Sequence, residues 1–366
     1  MLLNALFLAP RACGGPETYL RGLVPALATA FPELELTVAT TRSGARALRE
    51  EGWQAFASVL ALPCEDGQRV RRQWAEQVLL PLRARRRQAP IVHSLGSIAP
   101  LHAGARAVVT IHDVTFLRTP TFGRATTWGM GLLIRAAARR ADGLIAVTAA
   151  ARDEVCAALG VDRSRFTVVH HGHEPTHAAN PLSASVTRTR FALDGRRVVL
   201  CVGAKRPHKN QELLVRCAAR LGPDVAIVLA GHAEPYEAEL RALAARLGVD
   251  SRIRFLGFVS DAELEGLWRV ADCAAFPTLG EGFGIPVLEA LARGVPVAAS
   301  DLAVLREVGG KNPHYFDPHD LADATRAIIA AMADTETAQR GPAHAAKFTW
   351  AAAAIATHEV YERALG

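Results

Sequence analysis

The 366-residue chain has no C-x-x-C pair, no D-x-D sequence, no G-x-G-x-x-G turn and no apolar run approaching 18 residues. The six cysteines, Cys13, Cys64, Cys156, Cys201, Cys217 and Cys273, are scattered on apolar stretches. Such spacing suits core thiols in a reducing cytoplasm, not a disulfide framework or a zinc site. Without D-x-D, no obvious carboxylate pair would hold magnesium or manganese across a diphosphate. Without the glycine fingerprint, a dinucleotide-dependent oxidoreductase loses its main sequence support. Without a long apolar run, no transmembrane helix is expected. The apolar start Met1 to Leu8 lacks a positive leader, and Arg11 spoils a small-residue cleavage site, so it reads as a first buried strand.

What is present is an ordinary globular composition, 50% hydrophobic and 21% charged, with ample material for a core. The length argues for two domains. The formal net charge of +6 suits an anionic substrate or an acidic membrane surface without choosing between them.

Apolar runs alternate with helical patterns. Strands are expected at Leu2 to Ala9, Leu36 to Thr40, Ile91 to His93, Val108 to His112 and Leu144 to Thr148. A helix is expected from Glu17 to Ala30, and Thr148 is placed to cap another. The rhythm fades between His173 and Leu193. It then restarts with strands Arg197 to Val202, Val225 to Ala230, Ile253 to Leu256, one ending at Phe276, and Pro296 to Ala299. Helices are expected at Gln211 to Leu221 and Tyr236 to Leu247, and Ser260 with Glu263 has capping-box spacing. The alternation predicts an α/β protein of two doubly wound, Rossmann-like domains, with ligands at the carboxyl ends of the strands and a cleft between the domains as the natural site. The alanine-rich tail from Phe348 to Leu365 reads as one helix whose aromatics need a partner.

The segment Gly280-Glu281-Gly282-Phe283-Gly284-Ile285-Pro286-Val287-Leu288-Glu289 is the most informative. It sets one carboxylate on a glycine-broken loop and a second eight residues on, inside a helix. Glycines admit close backbone approach, and a helix start offers N–H groups to phosphate oxygens. A carboxylate accepts two hydrogen bonds from neighbouring sugar hydroxyls. The second signal is Gly203-Ala204-Lys205-Arg206-Pro207-His208-Lys209-Asn210, where three cations follow a strand end and suit a diphosphate leaving group whose charge grows as its bond breaks. A basic surface loop reads equally well there. Gly14-Gly15 sits in the first βα turn, where either a tight turn or a phosphate approach fits. His112 ends a strand and suits a hydroxyl contact, a proton transfer or a packing role.

Two further features carry alternatives. His170-His171-Gly172-His173 with His177 looks like a metal site, yet Glu174 is the only nearby carboxylate and an interdomain connection accounts for the segment better. Arg69 to Arg87 holds seven arginines around an apolar stripe with Trp74. It fits an anionic bilayer, or a helix packed by Trp74, Val78 and Leu82 with a solvated basic face. No groove-reading motif points to nucleic acid.

These residues together resemble the retaining GT-B glycosyltransferases of glycosyltransferase family four, including mannosyltransferase-like members, over nearly the whole chain and most densely from Val198 to Val308. The Glu281/Glu289 pattern, Pro207-His208-Lys209-Asn210, Phe255 to Val259, Thr110 to Asp113, Gly14-Gly15 and Phe348-Thr349-Trp350 carry it. Ala204, where many members carry Arg, and His171, where Asn is common, depart from it. The resemblance implies an acceptor domain over 1–180, a nucleotide-sugar domain over 181–345, and a final helix, 346–366, crossing back onto the first. It implies Glu281 on donor-sugar hydroxyls, Glu289 on the ribose diol, and Lys209 with Arg206 or Lys205 on the diphosphate. It further implies backbone contacts from Gly282, Phe283, Gly284, Ile285 and Val259, His112 touching the transferred sugar, and Gly15 near diphosphate or acceptor.

The implied reaction is retaining transfer of a hexose from a nucleotide diphosphate sugar, GDP-mannose first and UDP-sugars next, to a glycan or lipid-linked acceptor, with no cofactor and no metal. The expected place is the cytoplasm, peripheral to the inner face of the plasma membrane if the basic helix meets lipid. A nucleotide-sugar hydrolase or epimerase, a noncatalytic nucleotide-sugar-binding subunit and an oxidoreductase are the alternatives.

Overall fold

The computed structural model describes residues 1–10, 14–118, 123–173 and 180–366. Cys13, Glu174 and His177 lie outside them. Two compact units form, Met1–Gly172 with Phe348–Gly366, and His173–Lys347.

The first unit is built on strands β1 (Leu2–Asn4), β2 (Thr37–Thr40), β3 (Ser58–Ala61), β4 (Ile91–Ser94), β5 (Arg106–Ile111), β6 (Gly143–Ala146) and β7 (Phe166–Val168). They form one parallel sheet in the order β3-β2-β1-β4-β5-β6-β7. The second is built on β8 (Arg197–Val202), β9 (Val225–Ala230), β10 (Ile253–Leu256), β11 (Cys273–Phe276), β12 (Val297–Ser300) and β13 (His314–Phe316), parallel in the order β10-β9-β8-β11-β12-β13. Central strands are covered on both faces, so they are nearly continuous apolar runs; all six residues of β9 are buried. In each sheet the winding reverses once, between β1 and β4 and between β8 and β11. A crevice opens outside the strand ends at such a reversal.

Helix ends follow the expected chemistry. Ser260 and Glu263 form a complete capping box on helix Asp261–Val270, and the Thr148 side chain accepts from Ala151 N at 2.9 Å.

The tail helix Trp350–Leu365 belongs to the first unit and packs along helix Gly15–Ala30. Trp350, Ala353, Ala354 and Tyr361 join Tyr19, Leu20 and Leu23 in one core. Gly22 permits this, since a Cβ there would fall inside the Trp350 indole. A buried polar chain holds the helix in register: His93 Nδ1 meets Tyr361 Oη at 2.7 Å and His93 Nε2 meets Thr110 Oγ1 at 2.8 Å. Burial pushes the His93 ring down to about 3, so it stays neutral and takes one donor and one acceptor role.

Candidate functional site

The loops after β8 and β11 meet at the reversal point of the second sheet, and hydrogen bonds tie them together. His208 O accepts from Leu279 N at 2.8 Å and from Thr278 Oγ1 at 3.1 Å. Asn210, in the left-handed region at φ 52°, donates from Nδ2 to Pro277 O and Pro318 O, both at 3.0 Å. This stitching presents Lys209 Nζ to Glu281 Oε1 at 2.5 Å. The pair stands at a small pocket lined also by Gly203, Gln211, Thr278 and Gly284.

Gly284, at φ 94°, caps helix Ile285–Ala292, with Pro286 in its first turn. A side chain is excluded there twice over, by that conformation and by Leu305 against the missing Cβ. In its first turn Pro286 has no N–H, and Val287 and Leu288 donate to Gly284 O at 3.0 and 3.4 Å, which leaves the Ile285 N–H without an intrahelical acceptor. Gly282 and Phe283 are buried just ahead of it. The Phe283 ring is in the core.

Glu289 lies one turn further on, half-buried. Desolvation pushes its carboxyl up to about 7; Arg293 opposes that shift, and Glu265 and Asp261 add to it. Arg293 is itself held by Glu265, with Nε at 3.0 Å from Oε1, and donates to Glu289 O at 3.0 Å.

The three loop cations part company. Lys205 is fully buried, and its Nζ donates to Gly231 O at 2.5 Å and to Leu256 O, with Glu237 Oε2 at 3.6 Å. Burial lowers its pKa. The expectation that Lys205 meets a diphosphate is therefore corrected: its side chain runs under the sheet ends and fastens β8, β9 and β10. Arg206 is surface-exposed and pairs with Glu234 at 2.8 Å. Lys209 is the cation brought to the pocket. Val259 follows the β10 end tied by Lys205, beside Phe258, which stacks on His232 at 5.4 Å.

In the first unit, His112 lies at the end of β5 and Gly14-Gly15 after β1. Gly14 caps helix Gly15–Ala30, and open space lies beyond the Cβ positions of both glycines. His112 is buried, and its Nε2 donates to Leu95 O at 2.8 Å. Burial lowers its pKa. A neutral ring with Nε2–H committed to Leu95 O keeps Nδ1 as its acceptor. His171 packs edge-on to Tyr19 at 4.8 Å and beside His112 at 5.4 Å. Among the described residues no group of three or more His, Cys, Asp or Glu is placed to hold a metal ion.

The basic segment folds as helix Arg69–Trp74, a π-turn Ala75–Leu79 and helix Leu80–Arg86. Val70, Trp74, Val78 and Leu82 are 84%, 53%, 40% and 43% exposed. Of the two readings of this segment, the one in which Trp74, Val78 and Leu82 pack the helix does not hold: Ala75, Glu76, Leu80 and Ala84 are the buried residues. Four-residue steps drift about 40° each around an α-helix, and the wider π-turn takes back part of that drift. Arg69, Arg71, Arg83, Arg85, Arg86 and Arg87 are exposed around the stripe.

Asn210, Gln211 and Thr278 were not singled out as site residues. Gln211 is fully buried at the pocket, with Nε2 donating to Gly203 O and Ala204 O at 3.3 and 3.2 Å. A polar residue at the first position of helix Gln211–Ala218, directly after the cation-bearing loop, is the available signal.

Comparison with known proteins agrees with this geometry. Residues 187–347 match Glycosyl transferases group 1, and residues 13–177 match Glycosyltransferase Family 4. The chain is 34% identical over 237 residues to D-inositol 3-phosphate glycosyltransferase of Mycolicibacterium smegmatis, covering 62% of this chain and 54% of that protein. It is 30% identical over 239 residues to the serotype-specific mannosyltransferase WbdA of Escherichia coli, covering 62% and 29%. The matched region thus spans about half, or less, of these relatives. Anabaena Alr3699/HepE, solved in complex with UDP and glucose, shares the fold at a TM-score of 0.76 and 21% identity, over 99% of this chain and 98% of that one. WaaG, a glycosyltransferase involved in lipopolysaccharide biosynthesis, shares it at 0.71 and 15%, over 94% and 93%. Two parallel Rossmann-like sheets, both family matches and these likenesses converge: the chain belongs to the GT-B group 1 glycosyltransferases, with a first half of the family 4 type.

Proposed function

We propose that the protein transfers a hexose from a nucleotide diphosphate sugar to an acceptor hydroxyl, keeping the anomeric configuration and using no divalent ion, in assembly of a polysaccharide or glycolipid. The observation that carries this reading is the Lys209–Glu281 pair, 2.5 Å apart at a pocket on the reversal point of a parallel sheet. Cation and carboxylate there match the two halves of such a donor, diphosphate and sugar.

Glu281 accepts from sugar hydroxyls and Glu289 from the ribose diol. Amides of Gly282, Phe283, Gly284 and Ile285 approach phosphate and sugar at the helix start. In this reading Val259 is assigned to the nucleobase, Gly15 to the diphosphate or acceptor, and His112 to the transferred sugar. The acceptor oxygen attacks the anomeric carbon on the side the diphosphate leaves. As the bond from anomeric carbon to phosphate oxygen breaks, that oxygen takes the acceptor's proton. Lys209 stabilises its developing charge, with Arg206 free to turn inward from Glu234. No carboxylate nucleophile enters this scheme, unlike retaining glycosidases.

GDP-mannose is the first donor to test, supported by the likeness to a mannosyltransferase; UDP-sugars follow. Among the described residues no helix is long and apolar enough to cross a membrane. The exposed stripe Val70, Trp74, Val78 and Leu82, ringed by arginines, supports contact with an anionic bilayer at the cytoplasmic face.

The test is a donor panel of GDP-, UDP-, ADP- and dTDP-sugars read by thermal shift, since a specific ligand stabilises the native state. A transfer assay with and without EDTA, and NMR of the product anomer, follow. A protein that binds no donor overturns the reading. Rapid donor loss without acceptor would instead mark a hydrolase.

A further inference from the structure

The cation proposed for the diphosphate and the carboxylate proposed for the sugar are bound to each other. Lys209 Nζ and Glu281 Oε1 lie 2.5 Å apart, with side chains only 26% and 18% exposed. Neither position drifts freely. Lys209 sits in the single turn Pro207–Lys209, and Glu281 follows Thr278 and Leu279, which are both bonded to His208 O.

We infer that Glu281 makes the site discriminate a sugar-bearing diphosphate from a bare one, by competing with phosphate oxygens for Lys209 whenever no sugar is present. The inference rests on the donor-site roles proposed above. A glycosylated donor offers both groups a replacement: phosphate oxygens take Lys209 and sugar hydroxyls donate to Glu281. A bare nucleoside diphosphate replaces one alone. It takes Lys209 and leaves a shielded carboxylate with neither counter-ion nor hydroxyl, beside added negative charge. The spent diphosphate is therefore held more weakly than the donor. When the glycosyl group departs, Glu281 recovers Lys209, and the exchange favours product discharge. No bond is made or broken in this step; one ion pair replaces another.

Calorimetric titration of GDP, GDP-mannose, UDP and UDP-glucose into wild type and Glu281→Gln tests it. The variant is expected to bind the bare diphosphate about fivefold more tightly, the scale of one partly exposed ion pair, and the matching nucleotide sugar more weakly. The tightening is expected to vanish in a Lys209→Gln background, because it acts through that ammonium. Bare-diphosphate affinity that is unchanged or weaker in Glu281→Gln overturns the inference while the donor reading stands. A tightening that survives Lys209→Gln also overturns it, reducing Glu281 to a general repulsive charge. If wild type binds none of the four ligands, the donor reading itself fails and carries the inference with it. Should Glu281→Gln fold poorly, Glu281→Asp withdraws the carboxylate from Nζ by one methylene and is judged by the same outcomes.

Discussion

Lys205 donates from Nζ to the carbonyl of Gly231 at 2.5 Å, across the ends of two neighbouring strands. A charged side chain so deeply covered is a fastening, and its loss leaves the two carbonyls without this donor and takes one of two cations from Glu237, which keeps Arg241. Lys205→Ala is expected to destabilise the second unit by about 3 kcal/mol. Chemical denaturation checks this. Unchanged stability with a loss confined to turnover would return Lys205 to the diphosphate.

Lys209→Ala is expected to leave folding intact and lower turnover by a factor of about 100 to 1,000, the usual cost of removing one preorganised group from developing charge. Circular dichroism and steady-state transfer rates separate the two effects. Near-normal turnover would remove Lys209 from the reaction.

The Glu289 carboxyl is pushed up to about 7 by burial. A carboxylate accepts from both ribose hydroxyls, whereas its acid form has to turn one oxygen into a donor. Nucleotide affinity is therefore expected to rise between about pH 6 and about pH 8 as the proton leaves. Glu289→Gln should bind more weakly at the upper end and flatten that rise. Titration calorimetry across the range measures it, and a pH dependence identical in wild type and variant would refute the assignment.

Glu76 is buried and accepts from Asn4 Nδ2 at 2.6 Å. Desolvation raises its pKa from 4.5 to about 7, against the opposing pull of Asn4 and Arg72. The folded state binds the extra proton, so this group's contribution is full below 4.5 and is lost as pH climbs through about 7. Glu76→Gln removes that loss and is expected to exceed wild type at about pH 8 by up to about 3 kcal/mol, with little difference at about pH 4. Paired melts at the two pH values decide it.

The arginine-ringed stripe is expected to hold the protein on vesicles containing phosphatidylglycerol and not on pure phosphatidylcholine. Each basic residue near such a surface contributes about 1 kcal/mol, so salt should weaken binding. Trp74→Ser with Val78→Ser should release the protein in a flotation assay while transfer to a soluble acceptor analogue continues. Equal binding to neutral vesicles would exclude the charge-led contact.

The sheet interiors were legible because strands covered on both faces are continuous apolar runs: Arg197–Val202, Val225–Ala230 and the strand ending at Phe276 stand where alternation places them. The strands β3, β7 and β13 were not anticipated. Each is an edge strand of three or four residues, Ser58–Ala61, Phe166–Val168 and His314–Phe316, and an edge needs no long apolar run. Glu281 and Lys209 were visible as charges on glycine- and proline-marked loops after strands. That they touch was not, since 72 residues separate them and the stitching through His208 O is backbone chemistry. Lys205 and Arg206 are adjacent cations in the sequence, and only the path of each side chain tells the fastening from the surface charge.

The helix Trp350–Leu365 shares one core with residues made at the other extreme of the chain. During synthesis, the opening half leaves the ribosome with Tyr19 and Leu23 uncovered, and keeps that greasy seam until translation reaches the closing helix. The second unit, continuous from His173 to Lys347, faces no such delay and is able to mature earlier. Nascent-chain protease protection should therefore appear in the later-made half before the earlier-made one.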